Sequence, residues 1–259
     1  MSAPAHPAYG VLRPVTDTAS VMLCDNPGVM TLDGTNTWVL RKPGAGEVVI
    51  VDPGPDDADH IDRMARLGPV ALVLITHRHG DHTDGIDRLV AATGATVRAV
   101  GSGFLRRLGR PLIDGEIIEA AGLRITVMAT PGHTGDSVCF VLDDAVLTGD
   151  TVLGRGTTVI DDEDGSLADY LDSLRRLQAL GARTVLPGHG PELDDLAAAA
   201  SMYTAHRHER LEQIRKALQV LGAEASPRQV VEHVYADVDE KLWEAAESSV
   251  RAQLDYLRA

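Results

Sequence analysis

Residues Thr76 to Gly85 read THRHGDHTDG and follow directly on the apolar run VALVLI. A β-branched run of that length reads as a strand buried on both faces, so the polar side chains collect where the sheet stops. Imidazole and carboxylate donors suit zinc, iron or manganese better than calcium or magnesium. In a tight loop between strand and helix, His77 and His79 can aim at one point, and Asp81 and His82 at a second point nearby. Four donors are too few for two four-coordinate ions, which demands more donors at other strand ends. His133 in TPGHTGDS, Asp150 in LTGDT and His189 in LPGHG meet that demand, each after a strand and beside glycines that let the backbone turn. The candidate metal-ligating set is therefore His77, His79, Asp81, His82, His133, Asp150 and His189. His60, His206, His208 and His233 lack this context and are expected to be solvated.

The surrounding chain supplies the frame. EVVIVDPG, VALVLITH, RITVMATPGH, SVCFVLDD, AVLTGD and TVLPGHG read as strands, while DGIDRLVAAT and SLADYLDSLRRLQAL, the latter capped by Ser166, read as helices. Strands alternating with helices place the chain in the α/β class. After Pro191 the pattern becomes wholly helical, and from about Ser226 an amphipathic tail begins with Pro227 suited to the first helical position. A catalytic domain over residues 1–191 and a C-terminal helical region over 192–259 are expected.

Composition narrows the setting. With 259 residues, 44% of them hydrophobic, the chain can bury one large core. No stretch is long and apolar enough for a membrane span, and the first twenty residues lack the basic and apolar regions of an export signal. Only two cysteines occur, Cys24 and Cys139, in neither a CxxC nor a disulfide pattern. A cytoplasmic protein, monomer or homodimer, is expected. The net charge of −14 excludes a broad footprint for duplex nucleic acid.

The stations THxHxDHxxG, TPGHT, GD and PGHG, in that order between about Leu23 and Pro191, resemble the metallo-β-lactamase superfamily. The resemblance implies an αββα sandwich with a dinuclear metal site at one edge. It further implies that His77, His79 and His133 hold one metal, Asp81, His82 and His189 the other, and that Asp150 bridges them. Two Zn2+ are the expected cofactors, with iron or manganese acceptable to the same donors. Two such ions can share a water, lower its pKa and present hydroxide as the nucleophile. Asp81 and Asp150 are then the candidate catalytic carboxylates, Asp81 by orienting that hydroxide.

Substrate is the open question. NPGVMTLDGTNTWVL and AHRHERLEQI, followed by a short helical tail, resemble the lactamase-beta-like-2 branch, in which a winged-helix-like region follows the hydrolase. That branch implies cleavage of single-stranded RNA. Gly34 and Asn36 read as turn formers, or as a loop lining the substrate cleft. His206, Arg207 and Arg210, at helical spacing, can anchor the tail to the catalytic domain or offer cations to a phosphate. Against RNA stand the acidic tail ADVDEKLWEAAESS and an aromatic content of only 3%, which leaves few stacking platforms. A small thioester, hydrolysed in the manner of glyoxalase II, is the alternative substrate. β-Lactam or lactone hydrolysis and a metal-binding module without turnover rank lower.

Overall fold

The computed structural model describes residues 9–236 and 239–258. Residues 1–8 of the stretch read for an export signal, and Asp237 and Val238 of the acidic tail, lie outside these. In chain order the first half contains β1 (Leu12–Pro14), β2 (Ala19–Leu23), β3 (Asn36–Leu40), β4 (Val48–Val51), α1 (Ala58–Ala65), β5 (Val70–Leu74), α2 (Gly80–Thr83), α3 (Ile86–Thr93) and β6 (Thr96–Arg98). The second half contains β7 (Ile117–Ala120), β8 (Leu123–Ala129), β9 (Val138–Val141), β10 (Ala145–Gly149), α4 (Leu167–Gln178), β11 (Thr184–Pro187), α5 (Leu196–Leu221), α6 (Pro227–Val234) and α7 (Trp243–Arg258). Each half builds one sheet, six strands in the order β1-β2-β3-β4-β5-β6 and five in the order β11-β10-β9-β8-β7.

The period of two along each strand decides what faces what. In β4, Val49 and Val51 point inward to meet Phe140, Leu147 and Leu186 of the second sheet, with Trp38 and Leu74 alongside. Its alternate residues Val48 and Ile50 point outward and pack under Ile61 and Met64 of α1 and Ile86 and Leu89 of α3. On the far side, Cys139, Val146 and Val185 lie beneath Tyr170 and Leu174 of α4 and Ala200 and Tyr203 of α5. The result is the expected αββα layering. Single caps fix the helix starts: Ser166 accepts from Asp169 N, and Ser226 forms a capping box with Gln229 ahead of Pro227.

Among the described residues, every regular element after β11 is a helix. α5 serves two cores at once. Its first turns bury Leu196, Ala199 and Tyr203 in the sandwich, while Ile214 near its end packs with Val230, Val231, Val250 and Leu254 of α6 and α7. No helix among the described residues is long and apolar enough to cross a membrane.

One expectation fails here. His208 and His233 are exposed, but His206 is half-buried and His60 is only 4% exposed. Thr37 Oγ1 donates to Asp52 O at 2.7 Å, so His60 Nε2 is the donor to Thr37 Oγ1 at 2.9 Å, and its buried Nδ1 has no partner. Helix position decided this: α1 lies on the first sheet, and its inward face carries His60 between Asp57 and Ile61. Burial pushes the His60 pKa down to about 4 from the ordinary 6.5. The unfolded chain then takes up a proton below pH 6.5 that the native state refuses until about 4. Stability is lost as pH falls through that window, by roughly 3 kcal/mol in total. In urea unfolding at pH 7 and pH 4.5, His60→Gln is expected to show a clearly smaller drop than the wild type; equal drops would refute the assignment.

Candidate metal centre

The donors sit where strands end. His77 to His82 follow β5, His133 follows β8, Asp150 follows β10 and His189 follows β11. β4 and β5 run parallel, as do β10 and β11, and β8 shares the direction of β10 through antiparallel β9. Strand ends within each sheet therefore present their loops at one edge, and the two edges face each other. Three donor groups form there: His77, His79 and His133; His77, His82 and Asp150; and Asp81, His82 and His189, each with ligand atoms within 4.8 Å of one another. All seven residues singled out in the sequence meet in this cluster.

Close approach at two turns makes this possible. At Gly149 (φ +47°) a Cβ would meet the Thr76 side chain at 2.7 Å, and at Gly188 it would lie 2.4 Å from Asp150 Oδ1. Only a hydrogen fits at either position.

The hydrogen bonds behind each imidazole fix its tautomer. His133 Nδ1 donates to Val159 O at 2.6 Å, and His189 Nδ1 to Gly34 O at 3.1 Å. His82 Nδ1 donates to Asp52 Oδ2 at 2.9 Å, and His79 Nε2 to Asp161 Oδ2 at 2.9 Å. Thr76 Oγ1 gives its own proton to Asp52 at 2.7 Å and therefore accepts from His77 Nδ1 at 3.0 Å. With each ring neutral, every inward nitrogen is thus a bare lone pair. Yet these nitrogens face one another: His77 Nε2 to His79 Nδ1 at 3.0 Å, His133 Nε2 to His79 Nδ1 at 3.2 Å, and His82 Nε2 to His189 Nε2 at 3.2 Å. Lone pairs pressed together need a cation between them. The carboxylates point the same way, since Asp150 lies 3.5 Å from His82, 3.4 Å from His189 and 3.9 Å from His133, and its buried Oδ1 has no hydrogen-bond partner. The residues present fit two transition-metal ions.

Charge tells the same story. Burial holds His77 well below its ordinary pKa, with His82 adding to the effect, and burial likewise lowers His133. Around His82 and His189 burial works in the same direction but is outweighed by Asp150 and Asp81, which raise both. Burial also opposes ionisation of Asp150, yet His189 and His82 hold it well below the carboxylate range. The Asp150 corner of the pocket thus draws positive charge, which protons or metal ions can supply.

Two residues that carry this geometry stand outside the sequence-derived set. Asp52 is 1% exposed and sits at φ +54°, strained for a residue with a side chain; it accepts from Thr76 N, Thr76 Oγ1 and His82 Nδ1. Asp161 aligns His79 and pairs with Arg78 at 2.8 Å. The only available signal for Asp52 was its place at a strand end in VDPG, which reads equally as turn chemistry. Gly34 and Asn36 prove to be supports. Gly34 O accepts from His189, and Asn36, buried, donates Nδ2 to Pro187 O and Gly190 O at 3.0 and 2.8 Å. The nearby Val29 and Met30, by contrast, line a cavity of about 640 Å³ that opens over His79 and His133. Arg207 is buried and donates to Thr158 O, while Arg210 lies over the Tyr235 ring at 4.7 Å, so both anchor the tail.

Comparison with known proteins agrees with the geometry. The sequence matches the family model described as Metallo-beta-lactamase superfamily over residues 30–189 and the Beta-lactamase associated winged helix domain over 226–259. An atrochrysone carboxyl ACP thioesterase of Aspergillus fumigatus is 34% identical over 86% of this chain and 71% of its own. A β-lactamase-like protein 2 homolog of Caenorhabditis elegans is 32% identical over 95% of this chain and 86% of its own. A β-lactamase domain protein from Burkholderia ambifaria shares the fold, with a TM-score of 0.83 across 99% of this chain and 90% of that one at 21% identity. Sheet order, donor placement and both family matches converge: the chain belongs to the metallo-β-lactamase superfamily of hydrolases and carries the winged-helix region associated with it.

Proposed function

We propose that the protein is a dinuclear metal-dependent thioester hydrolase. His77, His79 and His133 would hold one ion, Asp81, His82 and His189 the other, and Asp150 would serve both; zinc suits this imidazole-rich set, and iron or manganese is accepted by the same donors. Bound there, the ions supply a water activated at neutral pH and a Lewis acid for the substrate carbonyl. The chain's own groups then set the outcome. Of the two carboxylates Asp81 is the more open, with 27% side-chain exposure against 11% for Asp150, which supports its assignment as the acceptor of a proton from the attacking water. Water oxygen bonds to the thioester carbon, the C–S bond breaks, and acid and thiol leave.

The observation that carries the thioester reading is the character of the cavity above His79 and His133. Asp161, Asp162, Glu244 and Glu247 line it against Lys241 and Arg251, and Arg251 is already paired with Asp162 at 3.0 Å. A phosphodiester backbone would meet like charge there. Val29 and Met30, both more than half exposed, offer an apolar wall to an acyl chain. The thioesterase from Aspergillus fumigatus, at 34% identity, supports the same choice. Single-stranded RNA, which the branch resemblance implies, ranks second: the tail arginines named for phosphate contact turn inward.

The test is a turnover panel on metal-loaded protein, comprising an acyl-pantetheine thioester, S-lactoylglutathione, single-stranded RNA and a chromogenic cephalosporin, with His79→Ala as control. Thioester cleavage that His79→Ala removes is the expected result. Cleavage of RNA with both thioesters untouched would overturn the reading in favour of a nuclease.

A further inference from the structure

Two of the candidate ligands take their orientation from one short segment. His133 leans on Val159 O and His79 on Asp161 Oδ2, and Asp161 N returns a bond to His133 O at 2.9 Å. Residues 158–161 have no regular secondary structure. Their backbone must be fixed by something outside the sheets, or the entropy of a free loop would blur both imidazoles.

The fixing groups come from the C-terminal helices. Arg207 of α5, only 3% exposed, donates Nη2 to Thr158 O, and its guanidinium lies over the Tyr170 ring at 5.1 Å. On α7, Ser249 Oγ accepts from Ile160 N at 3.2 Å and Ser248 Oγ donates to Ile160 O at 2.6 Å. Both main-chain polar groups of Ile160 thus end on two adjacent serines, and Arg251 meets Asp162 one turn further along α7. The Asp81, His82 and His189 group is held differently. Its supports are Asp52, Gly34 and Asn36, which belong to the sandwich.

We propose that α5 and α7 clamp residues 158–162 and thereby position His79 and His133, so that the C-terminal region governs metal retention at the His77–His79–His133 group and spares the Asp81–His82–His189 group. The inference rests on the dinuclear reading above. Arg207, Ser248 and Ser249 act in it as positioning residues that touch no metal.

The test uses the full chain, with zinc as the probe. Ser249→Ala and Arg207→Met remove clamp contacts, and Arg207→Lys keeps a cationic donor. Arg258→Ala is the control for general loosening, because Arg258 donates to Ala223 O and Ala225 O and ties α7 to the α5–α6 connection away from residues 158–162. Zinc per chain is measured across a chelator series, and the imidazole N–H signals of His79 and His133 are followed by NMR in the metal-free protein. Wild type, Arg207→Lys and Arg258→Ala are expected to hold two equivalents. Ser249→Ala and Arg207→Met are expected to release one of the two at about tenfold lower chelator concentration, with the His133 N–H signal lost or broadened. Wild-type retention in both clamp variants, or equal weakening of both ions, would overturn the clamp. A wild type that binds no zinc would overturn the dinuclear reading itself, and that outcome is read before any variant is compared.

Discussion

Gly188→Ala is expected to lower thioester turnover by at least about a hundredfold while the protein still folds. The added Cβ would stand 2.4 Å from Asp150 Oδ1 and 2.8 Å from His82 Cε1, with Gly149 C at 3.1 Å behind them. Neither neighbour can yield freely. His82 is fully buried and tied to Asp52, and Asp150 is wedged between His82, His133 and His189. The Asp150 carboxylate must swing aside, and misplacement of a reacting group by about 1 Å costs on the order of a hundredfold. Overpacking of this kind costs about 1–3 kcal/mol in stability, well short of unfolding a domain of this size. Gly46→Ala, where a Cβ meets nothing within 4 Å, is the matched control. Turnover of Gly188→Ala within a factor of about three of wild type would show that Asp150 does not need this position.

Asp52→Ala is expected to weaken metal retention at the Asp81, His82 and His189 group by about 10–100-fold, the range seen when a carboxylate behind a histidine ligand is lost. The carboxylate accepts three hydrogen bonds, from Thr76 N at 2.8 Å, Thr76 Oγ1 at 2.7 Å and His82 Nδ1 at 2.9 Å. Without it His82 can switch tautomer, and Thr76 loses the acceptor that makes its hydroxyl available to His77. Both donor groups feel the loss, His82 directly and His77 through one intervening hydroxyl. Asp52→Asn should fall between, since it retains an acceptor for one of the Thr76 bonds. Chelator competition on the three proteins measures the order; equal zinc retention in all three would show that the imidazoles need no such support.

The contrast between residues read from sequence and residues found only in the fold follows from where their partners lie. His77, His79, Asp81 and His82 announce themselves because one loop carries them all, and His133, Asp150 and His189 because glycines mark each strand end. The buried strands were legible for the same reason, as β4 and β5 are nearly unbroken runs of Val, Ile and Leu. Asp52 was hidden because its partner His82 is thirty residues away. Asp161 was hidden more deeply: it lies in DDEDG, a run that reads as a solvated acidic turn until the chain brings it to His79. β1, β2, β6 and β7 were not legible as strands; β1, β6 and β7 are runs of three or four residues at sheet edges, too short to show a pattern. His60 shows the opposite failure, a polar residue assigned to water that helix packing carried into the core.

The division of donors between the two sheets has a mechanical corollary. The first half of the chain contributes His77, His79, Asp81 and His82, and the second contributes His133, Asp150 and His189, so every candidate site draws on both halves or borders one that does. A bound ion then works as a rivet through the sandwich. Pulling the chain apart from its ends would have to shear metal–ligand bonds before the two sheets could slide, and stripping the ions would leave apolar packing and a few cross-sheet hydrogen bonds, such as those from Asn36 and Trp38 to Pro187 O, to resist. Metal supply would thereby set how long the folded molecule survives force or proteolysis, as well as how fast it turns over.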